Sequence, residues 1–345
     1  MMRNPARIGL LSGRGSMTDT DQGIDLTIVI PVFDAAAHLD DLNDTIRSIP
    51  GLRIQVIYVD DASTDGSDAR IRELASAFAD TLALFQPVNA GAGQARNLGW
   101  DHAKGRYVLF FDADDRLHGD AIGPAIARMD AEPDLDVAVL AYRSERQDIA
   151  HSTGMIPKDA ETFEALLKGA PDACGTPDDF ARLLVITNYP WNKILRTARY
   201  RETGLRFGLT HVNNDILGHW HAMMYPRRIL LSRAEICTHV VHPDGTNLTN
   251  QQGALRLQMF DALDELYDLL LSEPDLRQRY AHFFWGFVLT LFKWARGRIA
   301  PEARNRYNQR MADLITRIDL VDFARMRNGR APVVATELSN ILLHR

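Results

Sequence analysis

Between residues 26 and 111, short and almost unbroken apolar runs alternate with segments of helical period, and few folds accommodate that alternation. Residues 26–31 (Leu-Thr-Ile-Val-Ile-Pro) read as a strand, rich in β-branched residues and closed by proline. Residues 36–49 read as a helix, with Leu39, Leu42, Ile46 and Ile49 on one face and acids opposite. Residues 54–59 form a second strand, a helix presenting Ile71, Leu74 and Phe78 follows, and residues 82–85 form a short third strand. Residues 91–103 read as a helix opened by glycine, and residues 107–111 as the fourth strand. Strands this continuously apolar, joined by helices, imply a doubly wound, mostly parallel α/β sheet of Rossmann-like type, covered on both faces. Ligands of such sheets sit beyond the carboxyl ends of the strands. Three tips fall there: Pro31 to Asp34, Asp60 to Asp65, and Asp112 to Asp115.

The last tip is the most telling. An apolar strand, Tyr107-Val-Leu-Phe-Phe111, runs straight into Asp112, Asp114 and Asp115. Desolvating an unpaired charge is costly, so carboxylates at the end of a buried strand call for a reason. Asp112 and Asp114 are two apart and lean to one side of an extended backbone. Two converging oxygen donors suit a hard divalent cation, and the cation suits a diphosphate. The other reading is a solvated loop whose acids merely end the strand.

The chain has 345 residues, enough for one large domain with an appendage or for two domains. Its formal net charge of −6 does not fit a nucleic-acid binder that depends on a broad basic face. Cys174 and Cys237 are too few for a disulfide framework or a zinc cage, and fit a reducing cytoplasm. Residues 1–24 are expected to be a flexible tail, with Met17 as a candidate start. No apolar run reaches the ~20 residues of a membrane span; residues 283–292 come nearest.

Beyond a strand at residues 137–142 the pattern loosens. Helical signals recur at 162–167, 178–185 and 214–223, and short strands are expected at 228–232 and 236–241. After Asn250 the chain becomes helical, and residues 280–296 are rich in aromatics with Lys293, Arg296 and Arg298 at their end. An interfacial helix of that kind would bring the chain to a lipid-linked acceptor as a peripheral membrane contact. The preferred reading is packing on the catalytic domain or on a second copy in a homo-oligomer, because a helix apolar on most sides is usually buried.

Four segments in this order resemble the nucleotide-binding half of family 2 glycosyltransferases, which have the GT-A fold. They are Ile28-Val-Ile-Pro-Val-Phe-Asp34, Tyr58-Val-Asp-Asp-Ala-Ser-Thr-Asp-Gly66, Asn89-Ala-Gly-Ala-Gly-Gln-Ala-Arg-Asn-Leu-Gly99 and Gly105-Arg-Tyr-Val-Leu-Phe-Phe-Asp-Ala-Asp-Asp115. The resemblance implies a GT-A catalytic domain at 25–250, with a nucleotide-binding half at 25–118 and an acceptor half at 119–250. A C-terminal helical region at 251–345 follows it. Pro31, Val32, Asp34, Asp61, Asn89, Arg96, Asp112 and Ala113 are implied to bind the nucleotide. Asp61 would accept from a uracil imide N–H; the alternative is that Asp60 and Asp61 cap the next helix, a task better suited to Asp65 or Ser67. Gly91 and Gly93 are expected to let the backbone pass close to the nucleotide, and Arg96 offers a forked donor. Asp112 and Asp114 correspond to the family's Asp-x-Asp motif and would hold Mn²⁺ or Mg²⁺ on the diphosphate.

Further on, Trp191-Asn-Lys193 matches the family more loosely, and Asn213-Asn214-Asp215 stands where Glu-Asp is usual. Asp215 is thereby implied as general base of an inverting transfer, the alternative being a helix cap. Asn214 in place of glutamate makes Asp215 easier to ionise. His242, in a segment resembling the loop over the diphosphate, is a candidate metal ligand or phosphate donor. A Gln-x-x-Arg-Trp motif of processive synthases is missing, which favours one sugar per encounter. The implied enzyme is a metal-dependent glycosyltransferase of hexosyltransferase type. It would move a sugar from a UDP-linked donor to a glycan, glycolipid or polymer hydroxyl in bacterial surface polysaccharide synthesis. Its place would be cytoplasmic or peripheral at the inner membrane face. Two rivals stand: a sugar-phosphate nucleotidyltransferase, disfavoured by Pro31-Val-Phe-Asp34 where a glycine-rich loop is needed, and a catalytically inactive nucleotide-sugar-binding module.

Overall fold

The computed structural model describes residues 23–146, 154–241 and 253–343. The expected alternation forms β1 (Leu26–Val32), α1 (Leu39–Arg47), β2 (Ile54–Asp60), α2 (Ser67–Ala77), β3 (Thr81–Phe85), α3 (Ala92–Asp101) and β4 (Tyr107–Phe110). β5 (Arg116–Leu117), α4 (Ile122–Ala131), β6 (Leu135–Arg146), α5 (Pro157–Leu167) and β7 (Asp172–Gly175) come next. The second half holds β8 (Lys193–Arg196), α6 (Thr197–Glu202), α7 (Asp215–Met224) and β9 (Arg228–Val241). The helices α8 (Gln258–Ser272), α9 (Pro274–Arg296), α10 (Arg304–Thr316), α11 (Leu320–Arg325) and α12 (Pro332–Leu343) follow.

One sheet runs β3-β2-β1-β4-β8-β6-β9-β5, with β7 paired to β9. β3, β2, β1 and β4 are parallel, in a register that sets Val32 beside Asp60 and Val29 beside Phe110. The acidic tips therefore lie on one edge. β8 runs antiparallel between β4 and β6, while β6 and β9 pair in parallel over a long stretch. Strand parity divides the core. Ile28, Ile30, Val56 and Tyr58 join the residues of α1, α2 and α4 on one face; Val29, Ile57, Val59 and Phe110 face α3 and the C-terminal helices.

Three local expectations change. Residues 228–232 and 236–241 form a single strand, because Arg233 and Ala234 bulge to solvent without ending it. Residues 178–185 hold only a 3₁₀ turn, Ala181–Val185. β8 went unread: Lys-Ile-Leu-Arg has two apolar residues, and its pairing supplies the rest.

The aromatic side of α9 is interior. Phe284, Trp285 and Val288 are fully buried and share one core with Trp220 of α7 and Leu263 and Tyr267 of α8. Among the described residues no helix is long and apolar enough to cross a membrane.

Candidate active site

The tips of β1 and β2 are laced together by their own polar groups. The Val32 carbonyl accepts from Asp61 N at 2.8 Å. Asp34, at φ 47°, accepts from Thr64 N at 2.7 Å, and its own N–H donates to Ser63 Oγ at 3.0 Å. Pro31 is half-buried and Val32 buried, and after them Phe33 turns an aromatic face outward, 50% exposed. Sequence reasoning passed over Phe33; a large aromatic inside a binding motif is the signal that was available.

Asp61 is only 2% exposed. Its Oδ1 accepts from Gln86 Nε2 (2.8 Å) and Ala90 N (2.7 Å), and Oδ2 accepts from Gly91 N (2.8 Å). Burial pushes this carboxyl up, and the Ala90 and Gly91 amides pull against that. Three of its roughly four lone-pair positions are taken, so a base imide would have to use Oδ2. Asn89, in the same turn, is exposed. Asp60 accepts from Ser63 N, and Asp65 from Ser67 N and Ala36 N, so the turn acids do gather at the start of α2.

Past β4, Asp112 is part-exposed and Ala113 is buried. Arg96, 4% exposed, donates from Nη2 to Asp112 Oδ1 at 2.6 Å and from Nη1 to Asn214 Oδ1 at 2.8 Å. Its Nε has no partner, and the guanidinium lies 5.4 Å from the Phe207 ring centre. Asp114 is half-buried, and burial, with Asp115 and Asp112 beside it, pushes its carboxyl up to about 6. Asp115 is turned to other work: its Oδ1 takes Val240 N (3.0 Å) and His239 Nδ1 (2.9 Å), while Oδ2 is buried without a partner. Burial opposes the His239 imidazolium, but the Asp115 hydrogen bond outweighs it and raises this histidine. His239 also packs on Tyr189 and Trp191, with ring centres at 4.9 and 5.7 Å. His242 lies outside the described residues. His239, three residues earlier, was not singled out, and only the fold brings it to Asp115.

Asp215 opens α7 and is half-buried. Burial pushes its carboxyl up to about 6 against the pull of Arg96, with Asp112 and Lys193 as smaller influences. The loop before it is fastened to α3. Asn97 exchanges hydrogen bonds with Phe207, Nδ2 to O at 2.9 Å and N to Oδ1 at 2.8 Å. Gln258 of α8 accepts from His211 N at 2.8 Å.

The two glycines also lie against this loop, a contact that the sequence expectation did not include. A Cβ on Gly93 would lie 2.0 Å from Gly208 O and 2.8 Å from Asn214 Cβ, so the close approach is to the loop that leads into Asp215. Gly91, at φ +91°, abuts His211.

Among the described residues, no three His, Cys, Asp or Glu side chains converge on a ready metal site. Asp112 and Asp114 nevertheless fit a hard divalent cation that takes its other ligands from diphosphate oxygens and water. Burial first, then Asp115 and Asp112, raise Asp114, and such a cation would offset all three.

Residues 27–180 match the model of the family described as glycosyl transferase family 2. YibD of Escherichia coli K12, described as an uncharacterized glycosyltransferase, is 33% identical over 278 residues, 74% of this chain and 76% of its own. GgaB of Bacillus subtilis 168, a minor teichoic acid biosynthesis protein, is 30% identical over 101 residues, 29% of this chain; that stretch is 11% of GgaB. The fold matches residues 1–349 of Staphylococcus aureus TarS with a TM-score of 0.70 at 17% identity, covering 93% of this chain and 88% of that one. A further TarS structure, in complex with UDP-GlcNAc, matches at 0.70 and 16%, covering 93% and 89%.

Proposed function

The chain belongs to glycosyltransferase family 2, and from that footing we propose that it transfers a sugar, with inversion, from a nucleoside diphosphate sugar to an acceptor hydroxyl. The observation that carries this reading is Arg96, which joins Asp112 of the donor motif to Asn214, next to Asp215. One buried side chain thus ties the diphosphate end of the crevice to the base.

In the proposed step Asp215 takes the proton of the acceptor O–H as that oxygen bonds to the anomeric carbon. The bond from that carbon to the diphosphate oxygen breaks on the opposite face, and the electron pair leaves on the nucleoside diphosphate. Asp112 and Asp114 would hold Mn²⁺ or Mg²⁺, which supplies Lewis-acid neutralisation of the leaving charge. Arg96 keeps Asp112 aimed, and Asn97 and Gln258 hold the base loop at a fixed depth. Preorganisation of this kind raises the rate without reorganisation during the reaction.

Uridine is the favoured base, since Asp61 Oδ2 keeps one lone pair beyond the Gly91 amide for an imide N–H and the exposed Phe33 offers a face for stacking. The donor bound by the same fold in TarS, UDP-GlcNAc, is the first to try. The relation to GgaB supports a glycan or polymer acceptor of the bacterial cell surface, with synthesis on the cytoplasmic side. Residues 25–118 would act as the donor half, 119–250 as the acceptor half, and 251–345 as a helical brace. A peripheral membrane contact or second copy would use α11 and α12, where Leu320, Val321, Val333 and Leu343 are exposed.

The test is UDP release from a panel of UDP-sugars with Mn²⁺ or with chelator. Metal-dependent release is expected for at least one donor, retained UDP affinity in Asp215→Asn, and loss of its turnover. Normal turnover in Asp215→Asn would remove the base assignment. Tight UDP binding with no release from any donor would favour an inactive binding module.

A further inference from the structure

Asp61 is held by two backbone amides, Ala90 N and Gly91 N, and by the side chain of Gln86. Gln86 Nε2 donates to Asp61 Oδ1 at 2.8 Å. An ionised carboxylate only accepts, so the nitrogen is the end turned to Asp61 and the sense of the amide is fixed. The backbone of Gln86 is fixed as well. Its N–H donates to Asp60 O at 2.8 Å, which carries the β2–β3 pairing one residue past Phe85. The side chain is half-buried, and among the described residues its second Nε2–H and its Oε1 have no hydrogen-bond partner. The proposed step makes no use of Gln86.

Strand order gives this amide a direction. The sheet runs β3-β2-β1-β4, so Gln86 past β3 lies on one side of Asp61 and Asp112 past β4 on the other. A nucleotide whose diphosphate is at Asp112 and whose base reaches Asp61 has its ribose on the β1–β4 side of that base. In uracil the ribose is on N1, next to C2, and the C4 carbonyl is on the far side of the imide N–H. O2 then lies toward the ribose, and O4 toward β3, where Gln86 stands. The exposed apolar residues agree with a base in this place. Val88 past β3 is 65% exposed and Phe33 past β1 is 50% exposed, one on each side of Asp61 in the strand order. A planar base suits such flanks.

We propose that Gln86 is a specificity-determining residue of the donor site: with its nitrogen turned to Asp61, it gives its second N–H to O4 of a uracil whose imide N–H is taken by Asp61 Oδ2. This role deepens the proposed function and rests on a uridine-linked donor. Donor and acceptor then alternate along the protein edge, opposite the acceptor and donor of uracil. Cytosine reverses both. Its bare N3 would face the carboxylate, and its 4-amino group would face the Gln86 N–H. The amide cannot turn over to suit it, because its oxygen would then meet Asp61 Oδ1.

Calorimetry on the full-length protein with Mn²⁺ and UDP, CDP, 4-thio-UDP or 2-thio-UDP tests this. Sulfur is a weak hydrogen-bond acceptor. The wild type should bind 4-thio-UDP about fivefold more weakly than UDP, the worth of one hydrogen bond, and 2-thio-UDP as well as UDP. In Gln86→Met the 4-thio penalty should vanish, and the lead of UDP over CDP should shrink by about the same factor. A residue that only steadied Asp61 would leave the 4-thio penalty in place. Both proteins should reject 3-methyl-UDP, which has no imide N–H, and that rejection shows Asp61 still reading the base in the variant. Equal binding of 4-thio-UDP and UDP by the wild type overturns the proposal, even if Gln86→Met does not fold. A penalty that falls on 2-thio-UDP, or that survives in Gln86→Met, overturns it too. No binding of UDP at all overturns the uridine donor, and the role of Gln86 with it.

Discussion

Arg96 and Asp112 meet at 2.6 Å, Nη2 to Oδ1, with the arginine only 4% exposed. The pair sits between α3 and the end of β4 and fixes the direction of the Asp112 carboxylate. The same guanidinium holds Asn214, so Asp112 and the residue before Asp215 share one buried partner.

Arg96→Met should destabilise the protein by about 2 kcal/mol, less than the 3–5 of a fully buried pair because Asp112 keeps some contact with water. It should also lower kcat by more than tenfold. Urea unfolding and steady-state UDP release measure the two. A stability change near zero would mean that the pair is not holding the loop.

Gly93→Ala places a methyl 2.0 Å from the Gly208 carbonyl. Backbone has to move, at about 1–3 kcal/mol. The base loop is what shifts, so kcat should fall while UDP affinity stays within about twofold, a split that calorimetry and kinetics resolve. Equal losses in both would place the glycine at the nucleotide after all.

Asp114→Asn should move stability and function in opposite directions. Its carboxyl is pushed up to about 6, by burial first and then by Asp115 and Asp112. A carboxyl whose folded pKa lies above its unfolded value is destabilising when ionised at pH 7. Replacing it by an amide should therefore raise the stability of the metal-free protein by about 1 kcal/mol. Mn²⁺-dependent binding of UDP, measured by calorimetry, should disappear. Unimpaired metal-dependent binding would exclude Asp114 as a ligand.

With Asp215 as the proposed base, the acid limb of activity should follow its ionisation. Its carboxyl is raised to about 6 by burial, and only the ionised form accepts a proton. Turnover should be level above neutrality and fall about tenfold per pH unit well below 6. Asn214→Glu adds a like charge beside the base and should move that limb upward. A limb that stays put in this variant would show that position 214 does not reach Asp215 electrostatically.

Much of the donor side was legible because it is local. Apolar runs of strand composition between Leu26 and Phe111 specify buried parallel strands, and acids at the tips of β2 and β4 stand out against them. Asp215 was marked by a motif and by the helical period after it. The helices after Asn250 were legible as helices, but their joining one core with α7 was not.

What tertiary structure alone decided is the pairing of polar groups far apart in sequence. Arg96 and Asn214 are separated by 118 positions and meet only because Gly93 lets α3 close on the loop. Lys193 reads as the charged end of a weak segment until β8 inserts between β4 and β6 and buries its amine. Periodicity is a property of consecutive residues and survives without the fold. The partner of a buried charge depends on which elements pack together, and no short stretch of chain encodes that.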